Sequence, residues 1–392
     1  MKNPLLKFAQ LIVLLIATAA FRAAAADTDI DIEHRPDATK ALIPVSISGF
    51  TGEVDSTLKF DLEVAGFKFV AADQAQYNIT GSNNGGVQGR VTDRINKASL
   101  LAKAYEGGSP RAQAHTLADD IVLAVTGQKG IALTKIAFKG GSGDNSEVYV
   151  ADYDGRNPVA VTQDRTIVAA PCWVPGRRML CYVSYKLGNP DIYSQDLQSG
   201  ARKIVARYSG SNISPAVSPD GRRIAMILSK AASPDLYVAD LDGSNLKRLT
   251  TTREDESSPC WSPDGRTICF ASRVGGSAAL YTVSAEGGPM RRLSTAEVGN
   301  ATEPDWSPDG KLITFTRTRA RSFDVCVVPA RGGVASVLTE GEDSSWAPNS
   351  RTLVFVRRVG GRRVLSLLDV PTKQVKNASQ ISGSASQPAW AR

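Results

Sequence analysis

The chain has 392 residues and a formal charge of +7, from 46 Lys and Arg against 39 Asp and Glu. That excess is too mild to argue for a nucleic-acid partner. The length is too great for one comfortable core unless the fold repeats. With only two His, His34 and His115, a His-ligated metal centre beyond residue 130 is excluded.

Residues 1–26 read as a secretory leader. Lys2 and Lys7 form its positive start, Leu11–Ala20 its apolar centre, and Ala24-Ala25-Ala26 a small-residue cleavage site. The apolar run is shorter than the roughly 20 residues that span a bilayer, and Arg22 follows it. No Cys follows the cleavage site to carry a lipid. The expected mature chain is exported and soluble, and stands at +4 once Lys2, Lys7 and Arg22 leave.

Residues 27–130 are expected to form a small N-terminal α/β domain, opening with a mobile arm at 27–35. Ala41–Ser48 reads as a strand, with Pro44 suggesting an edge or irregular position. Glu53–Ala65 is helical in pattern, with Val54, Leu58, Leu62 and Ala65 on one face. Phe67–Ala71, Tyr77–Gly81, Val87–Arg94 and Ser99–Tyr105 read as short strands. In the second helix Ser109 can cap, Pro110 fits the first turn and Gly127 stops it. Leu117, Ile121, Val122 and Val125 give its buried stripe.

From Ile131 the pattern becomes short strands with regular turns. Trp173, Val217, Trp261, Trp306, Trp346 and Trp390 follow one another at gaps of 44, 44, 45, 40 and 44 residues. A period of about 40–45 residues marks a propeller, whose unit cannot bury its apolar face alone. Each unit reads as a Trp strand, a turn, an apolar strand, a third strand and a short fourth. The turns are Ser218-Pro-Asp-Gly221, Ser262-Pro-Asp-Gly265, Ser307-Pro-Asp-Gly310 and the degenerate Ala347-Pro-Asn-Ser350. Pro presets φ, Asp supplies a local hydrogen bond and Gly tolerates positive φ, as a tight hairpin requires. Residues 132–168 hold strands two to four of a blade with no Trp strand before them. Ser386–Trp390 is a Trp strand with nothing after it. Pairing the two makes residues 131–392 an all-β six-bladed propeller. Its first blade is completed by 386–392, which leaves no open edge.

Catalytic signatures are sparse: no Gly-x-Ser-x-Gly elbow and no P-loop occur. Asp152-Tyr-Asp154-Gly155 and Asp240-Leu-Asp242-Gly243 faintly resemble calcium loops, but fall where Asp-Gly is ordinary turn chemistry. The expectation is no enzyme, no cofactor and no metal. Cys172 with Cys181, and Cys260 with Cys269, occupy one repeat position and face each other across the hairpin when counted from the turn. They are candidate cross-strand disulfides, which are geometrically demanding; the simpler reading is a pair of small buried contacts. Cys326 is left over as a core residue.

The loops before the Trp strands and those between strands two and three open on one face. The first set is acidic: Glu254, Asp255, Glu256, Glu297, Glu303, Glu340, Glu342 and Asp343. The second is basic: Lys186, Lys230, Arg273, Arg317, Arg319, Arg321, Arg357, Arg358, Arg362 and Arg363. An acidic inner ring inside a basic outer ring is expected there. It is either a solvated rim of neutralising pairs or a docking face on which charge sets encounter and register.

These features together resemble the TolB family, the propeller proteins of the Tol–Pal cell-envelope system. The repeated P-x-W-S-P-D-G units carry part of the likeness. The run from Arg111 through His115, Asp119, Thr126-Gly127 and Gly130-Ile131 is the more specific part, since it resembles the family's link between domain and propeller. Ala132 stands where an aromatic is usual, and blade two has Val174-Pro-Gly-Arg177 in place of S-P-D-G. The resemblance implies a non-enzymatic scaffold in the periplasm, monomeric, that serves outer-membrane integrity and constriction at division. It implies docking of a Pal-like lipoprotein through Asn300, Thr302 and Glu303, and one blade earlier through Glu256 and Ser257. Other outer-membrane proteins are further partners on this reading. His115 is expected to brace the domain junction. Asp29, Ile30, Asp31, Ile32 and Glu33 resemble the arm that binds a TolA-like protein, and the Ile alternation suits adding a strand to a sheet edge; a frayed terminus is the plainer reading. The alternative function is an accessory or binding propeller of a hydrolase or peptidase system, which needs its catalytic partner in another chain.

Overall fold

The computed structural model describes residues 41–392 apart from 232, 379, 380 and 382. A five-stranded sheet comes first, ordered Phe67–Phe69, Ile43–Ser48, Tyr77–Ser82, Val87–Asp93, Ser99–Tyr105. The first three strands are parallel and the rest antiparallel. Two helices cover this sheet, α1 at Gly52–Val64 and α2 at Pro110–Thr126. The ends of α2 follow from its sequence. Ser109 Oγ accepts from the Ala112 N–H at 3.1 Å, Pro110 takes the first turn, and Gly127 at φ 71° sends its N–H to Leu123 O at 2.9 Å.

Pro44 is not on an edge strand. Ile43–Ser48 runs between two neighbours, and Pro44 pairs with Lys68. Its C=O faces Tyr77–Ser82 and accepts from the Gln76 N–H at 2.8 Å. The ladder on that side begins one residue later, at Val45 opposite Tyr77. The missing N–H therefore falls before the first rung, where no bond is lost.

Residues 135–390 form six four-stranded blades. The Trp strands are Val168–Trp173, Asn212–Val217, Glu256–Trp261, Ala301–Trp306 and Glu342–Trp346 for blades two to six, and Ala385–Trp390 for blade one. Ala385–Trp390 pairs antiparallel with Lys135–Ser142, so the ring closes with the last strand as the expected closure has it. In the turns, Ser218 Oγ donates to Asp220 at 2.5 Å, Ser262 to Asp264 at 2.6 Å and Ser307 to Asp309 at 2.7 Å. Each Asp then accepts from the main chain two residues on. The indoles stitch blades together: Trp173, Trp261 and Trp346 donate Nε1–H to the carbonyls of Ala389, Ala216 and Asp305 on the preceding blade.

The N-terminal sheet and blade one share a core. Tyr153 and Trp390 of the propeller are buried in one cluster with Leu58, Leu62, Leu117 and Ile121 of α1 and α2. At its centre Asp61 Oδ2 meets His115 Nδ1 at 2.7 Å, and Asp61 Oδ1 accepts from Tyr153 Oη at 2.5 Å. Arg111 reaches from α2 to Asp154 and to Thr57. The Asp-Gly turns are thus spent on structure. Asp154 pairs with Arg111, Asp152 with Lys135 and Asn157, and Asp240 and Asp242 accept from Ser244 and Asn245. No group of three or more metal-ligating side chains occurs among the described residues.

Candidate protein-docking site

The six Trp strands surround an axial channel of about 600 Å³. Every Trp strand has a β-bulge where register with the second strand slips. Its first residue lies three before the Trp: Ala170, Ser214, Ser258, Glu303, Asp343 and Gln387. All six are left-handed, with φ between 49° and 56°, and all line the channel. Left-handed backbone costs an L-residue about 1–2 kcal/mol, so six copies in a ring mark a geometry the propeller imposes. The bulge turns the N–H groups of Asp343, Gln387 and Ala170 toward the preceding blade.

On one side of the ring those N–H groups are answered. Asp343 N–H donates to Glu303 Oε2 at 3.2 Å, sharing with Thr316 Oγ1 at 3.2 Å. Gln387 N–H donates to Asp343 Oδ2 at 3.1 Å, and Ala170 N–H to Gln387 Oε1 at 2.9 Å. Burial, and then the charge of Glu303, hold the Asp343 carboxyl well above the ordinary carboxylate range. At the end of the channel nearer the Pro-Asp-Gly turns, Arg392 donates to Trp346 O at 3.1 Å and Trp306 O at 3.2 Å and pairs with Asp305.

Of the expected docking residues, Asn300, Thr302 and Glu303 lie together at the start of the blade-five Trp strand, and Glu303 lines the channel. Asn300 is exposed; Thr302 and Glu303 are half-buried. Ser257 is half-buried and pairs with Ala271. Glu256 is corrected: it is 1% exposed and offers nothing to a partner. Its carboxylate accepts from Thr250 at 2.9 Å, Thr252 at 2.7 Å and Ser272 at 3.1 Å, and so braces the loop from beneath. Burial raises its pKa against those three bonds. The acidic ring is corrected to a sector: its members fall on blades four to six, the loop before the Trp strand of blade three has no acid, and that of blade two has only Asp164, which pairs with Arg202 and Lys186. Part of the basic rim is spent locally: Arg317 and Arg319 pair with Asp324, Lys186 with Asp164 at 3.4 Å, and Arg363 with Glu342 at 3.2 Å.

His115 is buried at the domain junction. Cys172 lies opposite Cys181 and Cys260 opposite Cys269, all as thiols; the partner thiol and then burial push Cys181 well up, and burial and then the partner thiol do so for Cys260. Asp29, Ile30, Asp31, Ile32 and Glu33 lie outside the described residues, as does the leader. The bulge ring is a feature of the channel that sequence reading missed. Its available signal was a Pro two before the Trp in five of six copies, at 171, 215, 259, 304 and 388; a residue before Pro avoids right-handed helical backbone.

Residues 122–392 match the family model described as the TolB beta propeller domain. The chain belongs to the TolB propeller family. Among curated relatives, a Tol-Pal system protein TolB of Bordetella avium is 33% identical over 176 residues, covering 44% of this chain and 38% of the relative. That of Bordetella parapertussis is 32% identical over 237 residues, covering 52% and 53%. The matches thus span about half, or less, of these relatives' length. A crystal structure of TolB from Acinetobacter baumannii superposes with TM-score 0.82 at 26% identity, covering 89% of this chain and 96% of that one. The α/β domain followed by six blades is therefore the architecture of a solved TolB.

Proposed function

We propose that this TolB-family chain is a periplasmic, non-enzymatic scaffold of the Tol–Pal system. A Pal-like lipoprotein docks at the channel mouth over Asn300, Thr302, Glu303 and Ser257. A TolA-like protein binds through the arm at 27–35, and the monomer links the two to support outer-membrane integrity and constriction at division. The observation that most supports docking is the mouth itself. Its loops from blades four to six gather carboxylates beside an open channel, with arginines farther out, a pattern suited to orienting a polypeptide partner. The test is calorimetry with the soluble domain of the Pal-like protein from the same genome. Thr302→Ala with Glu303→Ala is expected to weaken binding by about 2 kcal/mol or more. Unchanged affinity sinks the site. Deleting residues 27–35 is expected to abolish TolA-like binding alone.

A further inference from the structure

Among the described residues, side chains answer the bulge ring over only half its circumference. The three bonds run in one direction, each bulge side chain reaching the N–H of the next blade: Glu303 to Asp343, Asp343 to Gln387, Gln387 to Ala170. The same step elsewhere would require Ala170 to reach Ser214, Ser214 to reach Ser258, and Ser258 to reach Glu303. Ala170 has no acceptor. A Ser hydroxyl is two heavy atoms shorter than the Gln side chain that spans this gap at 2.9 Å. Among the described residues no side chain bonds these three N–H groups. The backbone of all six positions is the same to within a few degrees of φ, so the Ser214, Ser258 and Glu303 N–H groups point as their counterparts do. Glu303 lies on the boundary: its side chain serves the closed half and its N–H belongs to the open half.

The closed half shows what the open half fits, an sp² oxygen placed between neighbouring blades. We propose that the arc of Ala170, Ser214, Ser258 and Glu303 is a binding site for carbonyl oxygens of a polypeptide loop, carboxamide side chains or main chain, received by the N–H groups of Ser214, Ser258 and Glu303. Neutral oxygens suit it better than carboxylates, because the Glu303 and Asp343 carboxyls adjoin the arc. Pro215 and Pro259, next to the open donors, add flat apolar wall and no competing N–H. This deepens the docking reading and rests on it for the partner, but the site is testable alone.

The test reads these amides by NMR and hydrogen exchange in the full chain. In the free protein, Ser214, Ser258 and Glu303 are expected to exchange about tenfold or more faster than Ala170, Asp343 and Gln387. N-acetylglutaminamide at high millimolar concentration is expected to shift those three amides first. The Pal-like soluble domain is expected to protect them. Ala170→Gln with Ser214→Gln and Ser258→Gln supplies the missing acceptors, and should raise the melting temperature while lowering affinity for that domain about tenfold or more. If the probe moves the three amides and the Pal-like domain does not bind, the site stands and the partner assignment falls. Two results overturn the site: binding of the Pal-like domain with these amides unmoved, or equal exchange of all six in the free protein with no response to the probe. The exchange measurements on the unmodified chain decide the matter if the triple variant fails to fold.

Discussion

Asp61 divides its two oxygens between His115 on the other helix and Tyr153 in the propeller, so one carboxyl holds two domains in register. Tyr153→Phe keeps the ring and removes one bond to a buried carboxyl. It is expected to cost about 1–3 kcal/mol in urea unfolding. His115→Ala leaves the carboxyl without its other partner and is expected to cost about 3–5 kcal/mol. Nearby, burial pushes Asp119 up to about 6, only partly offset by the Ala132 N–H that it accepts at 2.8 Å. An unfolded Asp titrates near 3.8, so between about pH 4 and 6 the native state binds the extra proton. Asp119 therefore adds stability below pH 4 that is lost as pH rises through 6, at up to about 1.4 kcal/mol per pH unit. Asp119→Asn is expected to flatten that part of the profile, as read by urea midpoints at pH 4, 5, 6 and 7. His115 and Asp119 were visible in the sequence as a motif. Asp61 and Tyr153 were not, because they lie 54 residues before and 38 after His115 and only the folded chain brings them together.

Within the elements, legibility follows how far a local rule extends. The Pro-Asp-Gly turns fix hairpin register, so counting outward from them places Cys181 opposite Cys172 and Cys269 opposite Cys260. The rule fails two rungs later, where Val183 faces Ala169 and not Ala170. That slip is the bulge, and counting from a turn cannot detect an inserted residue. Helix α2 was legible at both ends because its caps are chemical. Its Gly127 stop gives a clean prediction: a Cβ there meets nothing within 4 Å, so Gly127→Ala costs only the left-handed backbone, about 1 kcal/mol by thermal or urea unfolding. The Cys pairs predict little cost for their removal. Blade three already places Ala216 opposite Ala225 at that register, and Cys260→Ala with Cys269→Ala is expected to cost about 1–2 kcal/mol. An unfolding midpoint that falls steeply on adding reductant to the unmodified protein would instead reveal a disulfide.

For the whole molecule, the Trp spacing gave the blade count, and the orphan Trp390 strand gave the closure. The shared core between sheet and propeller stayed hidden, since Tyr153 reads as one more turn residue. Trp390 belongs both to the closing blade and to that core, and is 3% exposed. Trp390→Ala is expected to cost about 3–5 kcal/mol and to loosen both domains in one cooperative transition, seen as coincident loss of near- and far-ultraviolet circular dichroism. The closing pair joins strands some 250 positions apart in sequence, Ala385–Trp390 and Lys135–Ser142. A polypeptide emerging from its N-terminal end cannot make that pair until residues 385–390 have emerged. The inner edge of the strand Lys135–Ser142 stays unpaired until then, and such distant pairing is slow. Vectorial synthesis therefore keeps the ring unlocked for the whole interval between the making of Lys135 and that of Trp390.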